Sequence, residues 1–347
     1  MATRARIRVG TASWTDPTLT RDTDWYPRRS MSAEDRLKFY AANFDLVEVD
    51  ATYYFPPGKD LAGLWAERTP DDFRMDIKAF SLLTGHPAKR DAVWEDVAEQ
   101  LPAEHAGKRS VYLSRLPDAA VDLAFAHFDE ALRPLYSAGK LGAVFFQFPK
   151  WFTNRRDNRR FLDSLKDRLP EYDKAVEFRH ASWLSEDSAP KTLKQLEAQG
   201  LAFVCVDEPQ GFDSSVPPVV AATADLAVIR FHGHNAENWE KRGIGPAERF
   251  RYLYTDDELE QWAPKVAELA SGAGETHALF NNCYQDYGVR NARQLATLLD
   301  AGTAEASSPG GLDLDGATRD ELYELAQQRD LAGRSSMTRD ELRAALK

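Results

Sequence analysis

Eight short apolar runs, separated by helix-length amphipathic segments, constrain the fold of this sequence more than any other feature. Nearly every run ends in a charged or amide side chain. The runs are Ile7–Gly10, Leu46–Asp50, Phe73–Lys78, Leu141–Phe148, Lys174–Arg179, Leu201–Asp207, Leu226–His232 and Ala278–Asn282. Eight strand–helix repeats predict an α/β fold, a (β/α)8 TIM-type barrel, in which catalytic groups lie at the carboxyl ends of the strands.

Alternation within the runs predicts which side chains face the barrel axis. In the run Leu46–Asp50, Val47 and Val49 share one face. Glu48 and Asp50 share the other face, and most of the other runs alternate in the same way. A slip of one residue would place the charged side chains beneath the helices, which is costly. We therefore expect the apolar sets to pack against helices and the polar sets to face the axis.

Helical patterns fill the gaps between the runs. The predicted helices are Ser32–Ala42, Asp118–Ser137, Arg156–Arg168, Ala189–Gln199, Asp256–Leu269 and Asn291–Leu299. Two connections, Ser81–Asp118 and Gly233–Thr255, are longer than a simple loop. Long loops at the strand ends of a barrel usually shape a substrate pocket, and we expect that role for both.

The composition excludes several classes of protein. No apolar stretch is long enough to cross a membrane, and Met1–Arg8 has no apolar signal core, which predicts a cytoplasmic protein without a membrane partner. Two cysteines, with no CxxC motif, argue against a disulfide framework and against a thiolate zinc site. The net charge of −11 opposes nonspecific binding to nucleic acid.

The composition changes near residue 301. We expect three segments: a barrel over residues 1–300, a flexible linker rich in Ala, Gly and Ser over 301–311, and a small helical module over 312–347. In the module the phrase Thr-Arg-Asp-Glu-Leu occurs twice, as 318–322 and 338–342. Each copy places a Thr N-cap before acidic residues, which predicts the start of a short helix.

The strand ends gather ionisable and amide side chains into one predicted mouth. They are Glu48, Asp50, Lys78, Gln147, Glu177, Arg179, Asp207, Arg230, His232, Asn281 and Asn282. Such groups must pair or be solvated, so one interpretation is an internal salt-bridge network of Glu48 with Lys78, and of Glu177 with Arg179 or Arg230. The other is an active site, in which coupled charges are also typical.

Three kinds of chemistry fit this mouth. In the first, Glu177, Asp207, His232 and either Asp50 or Glu48 bind a divalent metal, Mg, Mn or Zn, because carboxylate and imidazole suit these ions. In the second, Glu48 and Glu177 act as acid and base, as in glycoside hydrolysis. Gln147 and Arg230 end the fourth and seventh strands, where the large group of barrel glycosidases carries its acids, and this disfavours that chemistry.

The third chemistry is a Schiff base formed by Lys78, which Asp76 and neighbouring carboxylates disfavour by keeping the ammonium charged. The favoured hypothesis is a hydrolase- or lyase-like enzyme with Glu48, Glu177, Lys78 and His232 as catalytic residues. Its substrate is polar and anionic, or contains sugar or phosphate. The residues expected to bind it are Trp14, Tyr54, Gln147, Arg179, Trp183, Arg230, Asn281 and Asn282.

Several phrases together resemble the YecE-like and YunF-like barrel family, domain of unknown function 72. They are Gly10-Thr11-Ala12-Ser13-Trp14, Trp25-Tyr26-Pro27, the stretch Val47–Tyr54, Asp76-Ile77-Lys78, Gln147-Phe148-Pro149, the stretch Val176–Trp183, Arg230-Phe231-His232-Gly233 and Phe280-Asn281-Asn282. The resemblance covers roughly Arg6 to Leu299 and implies a TIM-type barrel without naming a reaction. Ser13 stands where the family commonly has Gly, and Asp50 where it has Asn.

The C-terminal residues 312–347 resemble the N-terminal helical module of the Rho termination factor and, more loosely, the SAP fold. This resemblance implies weak contact with nucleic acid, because acidic and basic residues nearly balance there. Two hypotheses therefore stand beside the enzyme: a nucleic-acid-associated protein tethered by this module, and a ligand sensor without catalysis.

Overall fold

The structure is a computed structural model that describes residues 6–299 and, towards the C-terminus, residues 318, 319, 322, 323, 326, 334 and 337–346. Its strands are β1 (Arg6–Ala12), β2 (Leu46–Val49), β3 (Arg74–Lys78), β4 (Ala88–Lys89), β5 (Ser110–Val111), β6 (Leu141–Gln147), β7 (Asp173–Glu177), β8 (Ala202–Asp207), β9 (Leu226–Phe231) and β10 (Glu275–Phe280). Strands β4 and β5 form a separate antiparallel pair within the long connection after β3.

The other eight strands close into a parallel barrel in the order β1-β2-β3-β6-β7-β8-β9-β10. The predicted (β/α)8 barrel is thus confirmed. Strand β10 begins at Glu275, whereas the sequence pattern placed its start at Ala278. The polar residues Glu275 and His277 belong to this strand because their side chains find charged partners inside the barrel.

Helices follow the strands and cover the outside of the barrel. They are α1 (Pro17–Asp22), α2 (Ala33–Ala41), α3 (Lys59–Glu67), α4 (Glu95–Ala98), α5 (Ala103–Ala106), α6 (Asp118–Ser137), α7 (Arg156–Arg168), α8 (Ala189–Gln199), α9 (Pro246–Arg249), α10 (Asp256–Ser271) and α11 (Tyr287–Leu298). Short 3-10 helices lie at Asp50–Tyr53, Ser81–Thr84, Arg90–Ala92, Leu113–Arg115 and Ala181–Trp183. None of the described helices is long and apolar enough to cross a membrane.

Local sequence explains where several of these helices begin and end. Thr255 and Glu258 form a capping box that starts α10, since each side chain accepts from the other residue's backbone N–H. Gly200 ends α8 with a φ of 64°, a conformation that glycine adopts without a steric penalty. The apolar faces of the helices pack on the outer faces of the strands, in one continuous core.

The amino end of the barrel axis is filled by a charged cluster around His277. His277 Nδ1 lies 2.9 Å from Asp76 Oδ2, and His277 Nε2 lies 2.8 Å from Glu275 Oε1. Arg8 Nε donates to Glu275 Oε1 at 2.6 Å, and Arg8 Nη1 donates to Asp45 Oδ2 at 2.9 Å. Arg8 and His277 are each 1% exposed, so these charges are compensated inside the protein rather than by water.

Glycine is required in β1 where that strand meets β2. A Cβ atom at Gly10 would lie 2.1 Å from the backbone oxygen of Leu46.

We expect Gly10→Ala to lower the free energy of unfolding by about 2 kcal/mol, because the strands must separate to admit a methyl group. Urea denaturation measures this change. Gly107→Ala is the control, since a Cβ there meets nothing within 4 Å, and equal losses in both variants would contradict the expectation.

The chain divides into two compact units, Met1–Thr303 and Ala304–Lys347. In the second unit, α12 (Arg339–Leu346) contributes Leu342 and Leu346 to a small apolar cluster with Leu322 and Ala326. The predicted linker 301–311 lies outside the described residues. The resemblance of 312–347 to the Rho and SAP modules and its contact with nucleic acid stay predictions.

Candidate active site

A buried ion network crosses the barrel axis near the carboxyl ends of the strands. Arg230 of β9 donates from Nε and Nη2 to the two carboxylate oxygens of Glu48, at 2.9 and 2.8 Å. Its Nη1 donates to Glu177 Oε2. All three side chains are at most 1% exposed. One guanidinium therefore links carboxylates from β2 and β7, and the alternation of the strands places all three on the axis as predicted.

Several side chains besides Arg230 surround the Glu177 carboxylate. Gln147 Nε2 donates to its Oε1 at 2.6 Å, and Arg179 Nε lies 2.8 Å from the same oxygen. Burial favours the neutral acid, but Arg230 and Arg179 outweigh it and hold the pKa of Glu177 well below its usual value. For Glu48, burial prevails over the attraction of Arg230 and raises the pKa. Glu177 is thus a fixed anion at the centre of the network.

His232 joins the network as a neutral ring. Asn281 Nδ2 lies 2.9 Å from its Nδ1, and Glu177 Oε1 lies 3.3 Å from its Nε2. Arg179 Nη2 lies 3.4 Å from the same Nε2, so this ring nitrogen faces both a carboxylate and a guanidinium. Burial and the nearby Arg179 lower the pKa of His232 to about 3. The ring is 1% exposed, so it contacts its neighbours rather than the open mouth.

Arg179 connects the network to a residue that the sequence analysis missed. Its Nη1 donates to Glu208 Oε2 at 2.6 Å, and its guanidinium lies 5.1 Å from the centre of the Trp239 ring. Glu208 Oε1 accepts from the backbone N–H of Val216 at 2.8 Å. Burial raises the pKa of Glu208 to about 7. Its position directly after the end of β8 is the one signal that could have singled it out.

Lys78 ends β3 beside the network but does not belong to it. The predicted ion pair of Glu48 with Lys78 is wrong, because Arg230 occupies both oxygens of Glu48. Within residues 6–299, Lys78 Nζ makes no hydrogen bond and lies within 4.0 Å of no carboxylate; it lies 5.1 Å from the centre of the Tyr53 ring. Burial and the neighbouring Arg230 lower the pKa of Lys78.

Comparison with known proteins identifies the family of this barrel. The sequence model described as "Protein of unknown function DUF72" matches residues 8–312. The chain belongs to the DUF72 family. It is 30% identical over 298 residues to UPF0759 protein YunF of Bacillus subtilis (strain 168), covering 85% of this chain and 95% of that protein. The resemblance of the sequence to YunF-like proteins is thus confirmed.

Solved structures of other DUF72 proteins have the same fold. A family member from Thermotoga maritima MSB8 superposes with a TM-score of 0.65 at 29% identity, covering 85% of this chain and 99% of that one. A second, from Enterococcus faecalis V583, gives a TM-score of 0.67 at 26% identity and covers 85% of this chain and 95% of that one. These neighbours agree with the closed barrel described above.

One departure of this chain from the DUF72 pattern has a visible cost. Ser13, where the family commonly has Gly, has a φ of 86° at the end of β1. Side chains other than glycine's are strained in this region of backbone space. The Ser13 hydroxyl compensates in part by accepting from the backbone N–H of Thr15 at 3.1 Å.

The predicted metal ligands are not brought together in this DUF72 barrel. The two carboxylate oxygens of Glu177 are bound by Arg230, Arg179 and Gln147. Asp207 lies in a separate group, where its Oδ2 accepts from Tyr254 at 2.6 Å and lies 2.9 Å from His234 Nε2. Among the described residues, no three His, Cys, Asp or Glu side chains form a group that could hold a metal ion. Asp50, Glu177, Asp207 and His232 therefore do not form one ligand group in this structure.

Two predicted substrate-binding residues are part of the core. Trp183 stacks on Phe178 at 4.5 Å between ring centres, and its Nε1 donates to the backbone oxygen of Phe152 at 2.6 Å. Asn282 is fully buried and donates from Nδ2 to Asn291 Oδ1 at 2.9 Å. Both side chains bind neighbouring segments of this chain instead of facing the mouth, and their contact with substrate stays a prediction.

The remaining predicted residues differ in their access to solvent. Trp14 is 7% exposed and packs edge-on against Trp65, at 6.0 Å between ring centres. Tyr54 is 57% exposed and stands at the rim beside Tyr53. Asp50, Gln147 and Arg179 are partly exposed, as is Lys78. The rim around the buried network thus consists of the exposed and partly exposed side chains Asp50, Tyr54, Lys78, Gln147 and Arg179.

Proposed function

We propose that this DUF72 chain is an enzyme of the hydrolase or lyase type, with its site at the carboxyl ends of the barrel strands. Its substrate is a polar compound that carries an anionic group or contains sugar. One observation carries this proposal: Lys78, a partly exposed residue at the end of β3, has no carboxylate within 4.0 Å of its Nζ among the described residues, although paired charges lie beside it. A polar group of the substrate can therefore bind to this amine without displacing a protein carboxylate.

The buried network supports the proposal by holding the rim in place. Gln147 donates to Glu177 and Arg179 forms an ion pair with it, which orients both side chains at the floor of the mouth. Their remaining N–H groups suit carboxylate, phosphate or sugar hydroxyl oxygens. In this proposal Glu48, Glu177 and Arg230 position the binding groups, and His232 links Glu177 to Asn281.

Acid–base chemistry is assigned to Asp50 and Lys78. Burial raises the pKa of the Asp50 carboxyl and lowers that of the Lys78 ammonium. Both shifts bring the pKa of the group closer to neutral pH, where a group can most easily give up and take back a proton. The register pairs Val49 with Ile77, so Asp50 and Lys78 follow at neighbouring strand ends.

A substrate panel with one rim variant tests this function. The panel contains nitrophenyl glycosides, nitrophenyl phosphates, sugar phosphates and sugar acids, and turnover is followed by absorbance or product mass. For any substrate found, we expect Asp50→Asn to lower kcat by about 100-fold, the usual contribution of an acid–base group, with little change in Tm. Asp24→Asn is the control, because the Asp24 side chain is 91% exposed.

Two results would contradict the proposal. The first is full activity in the Asp50→Asn variant, which contradicts the acid–base role assigned to Asp50. The second is a compound from the panel that raises Tm but is never converted, which favours the hypothesis of a ligand sensor instead.

A further inference from the structure

The amine of Lys78 has the setting of a nucleophile rather than of a salt-bridge partner. We propose that Lys78 forms a Schiff base with an aldehyde or ketone substrate. This inference deepens the function proposed above and rests on it, because it names the carbonyl group as the reacting part of the substrate.

Three carboxylates that could neutralise Lys78 are bound elsewhere, and a fourth, Asp50, lies more than 4.0 Å from its Nζ. Arg230 takes Glu48 and Glu177, and Asp76 accepts from the backbone N–H of Ala143 at 2.7 Å and lies 2.9 Å from His277. A Schiff base was disfavoured from the sequence because Asp76 and neighbouring carboxylates were expected to keep the ammonium charged. Asp76 does not act in that way, since it belongs to the cluster around His277, and the neighbouring carboxylates Glu48 and Glu177 are bound by Arg230.

The charged groups that act on Lys78 come from several parts of the barrel. They are Glu48 of β2, Asp50 directly after it, Glu177 of β7 and Arg230 of β9. Burial and Arg230 favour the neutral amine and outweigh the three carboxylates, so the pKa is lowered. A desolvated lysine beside another cation is an established arrangement for a nucleophilic amine.

The backbone of Lys78 is held at the mouth. Thr52 Oγ1 lies 2.6 Å from the Lys78 carbonyl oxygen and 2.8 Å from that of Val49, so its hydroxyl joins the ends of β2 and β3. Tyr53, in the same turn, forms one wall beside Nζ. His86 packs against Tyr53 at 5.2 Å between ring centres, and burial lowers its pKa to about 3, which adds a neutral wall.

The proposed step balances without an added oxidant or reductant. The lone pair of Nζ attacks the carbonyl carbon, and the C=O double bond becomes a C–O single bond. The oxygen then leaves as water with the two hydrogens of the neutral amine, and a C=N bond replaces C=O. Asp50, whose pKa is raised by burial, is the rim group assigned to carry these protons between nitrogen and oxygen.

Reductive trapping tests the proposal on the full-length chain. The protein is incubated near neutral pH with sodium cyanoborohydride and either pyruvate or glycolaldehyde, and modified lysines are mapped by peptide mass spectrometry. We expect Lys78 to be trapped about tenfold faster than Lys150, because a larger share of its amine is unprotonated. Lys150 is a fitting reference, with a 51% exposed side chain near the same end of the barrel.

Two lysine variants test the Schiff base independently of the proposed enzyme activity. Lys78→Arg keeps the charge and should abolish trapping at position 78, whereas Lys150→Arg should leave it unchanged. Equal trapping of Lys78 and Lys150 overturns the Schiff base. Turnover of a substrate that survives Lys78→Arg but not Asp50→Asn overturns it too, while leaving the proposed enzyme intact. A preference for pyruvate indicates a 2-oxo acid, and a preference for glycolaldehyde indicates an aldehyde.

Discussion

Arg230→Met is expected to lower the free energy of unfolding by about 3–5 kcal/mol, the range found when one partner of a buried ion pair is removed. Methionine replaces the aliphatic part of the arginine side chain but carries no charge, so Glu48 and Glu177 lose their shared cation. Two carboxylates would then stay in a site that water does not reach. Urea denaturation followed by fluorescence and by circular dichroism measures the loss.

Two comparisons isolate the cause of that loss. Arg133→Met removes an exposed arginine, with a 42% exposed side chain, that pairs with Asp129 and Glu171 on the surface. Its cost should stay below about 1 kcal/mol. In a background of Glu48→Gln and Glu177→Gln, Arg230→Met should cost much less, because no carboxylate is left uncompensated. A loss in Arg230→Met that equals the loss in Arg133→Met would contradict the network.

The second large effect concerns the dependence of stability on pH. Burial opposes the charged ring of His277, but Asp76 and Glu275 outweigh it and raise its pKa to about 9. In the unfolded chain the pKa is about 6.5. The folded protein therefore binds this proton more tightly, and the stabilisation is fully present below pH 6.5. As pH rises from about 6.5 to 9 the stabilisation is lost, by on the order of 3 kcal/mol.

The variant His277→Gln shows whether this residue causes the change. Urea denaturation at intervals between pH 6 and 9.5 gives the free energy of unfolding for both proteins. The free energy of unfolding should fall steeply with rising pH in the parent chain and much less in the variant, since the glutamine side chain does not titrate. Burial of Cys205 raises its pKa to about 12 and contributes a decline common to both proteins. Identical curves would show that His277 is neutral in the folded state.

Alternation of side chains was enough to predict the barrel and the residues on its axis. The two-residue period of a strand places Glu48, Glu177 and Arg230 on the inner face, whatever their partners are. The period does not tell which charges meet. Lys78 is on the strand beside Glu48, yet Arg230 reaches Glu48 from across the barrel, because its longer side chain spans the axis and binds both oxygens.

Residues beyond the strand ends were harder to predict. Trp183 and Asn282 follow strands, as rim residues do, but the chain turns there and both side chains enter the core. The direction of a turn depends on packing that no short sequence pattern encodes. Glu275 and His277 were missed for another reason: polar residues interrupt the apolar pattern, and only the pairing with Arg8 and Asp76 makes a strand there favourable.

The ion network across the axis also restricts how this protein can change over evolutionary time. Glu48, Glu177 and Arg230 are each held by the others, so a substitution at one position is harmful until the matching substitutions have occurred on distant strands. Such dependence is epistasis, and it favours the persistence of the three residues whether or not any of them takes part in a reaction. Persistence of charge at this barrel mouth would therefore not be evidence of catalysis by itself.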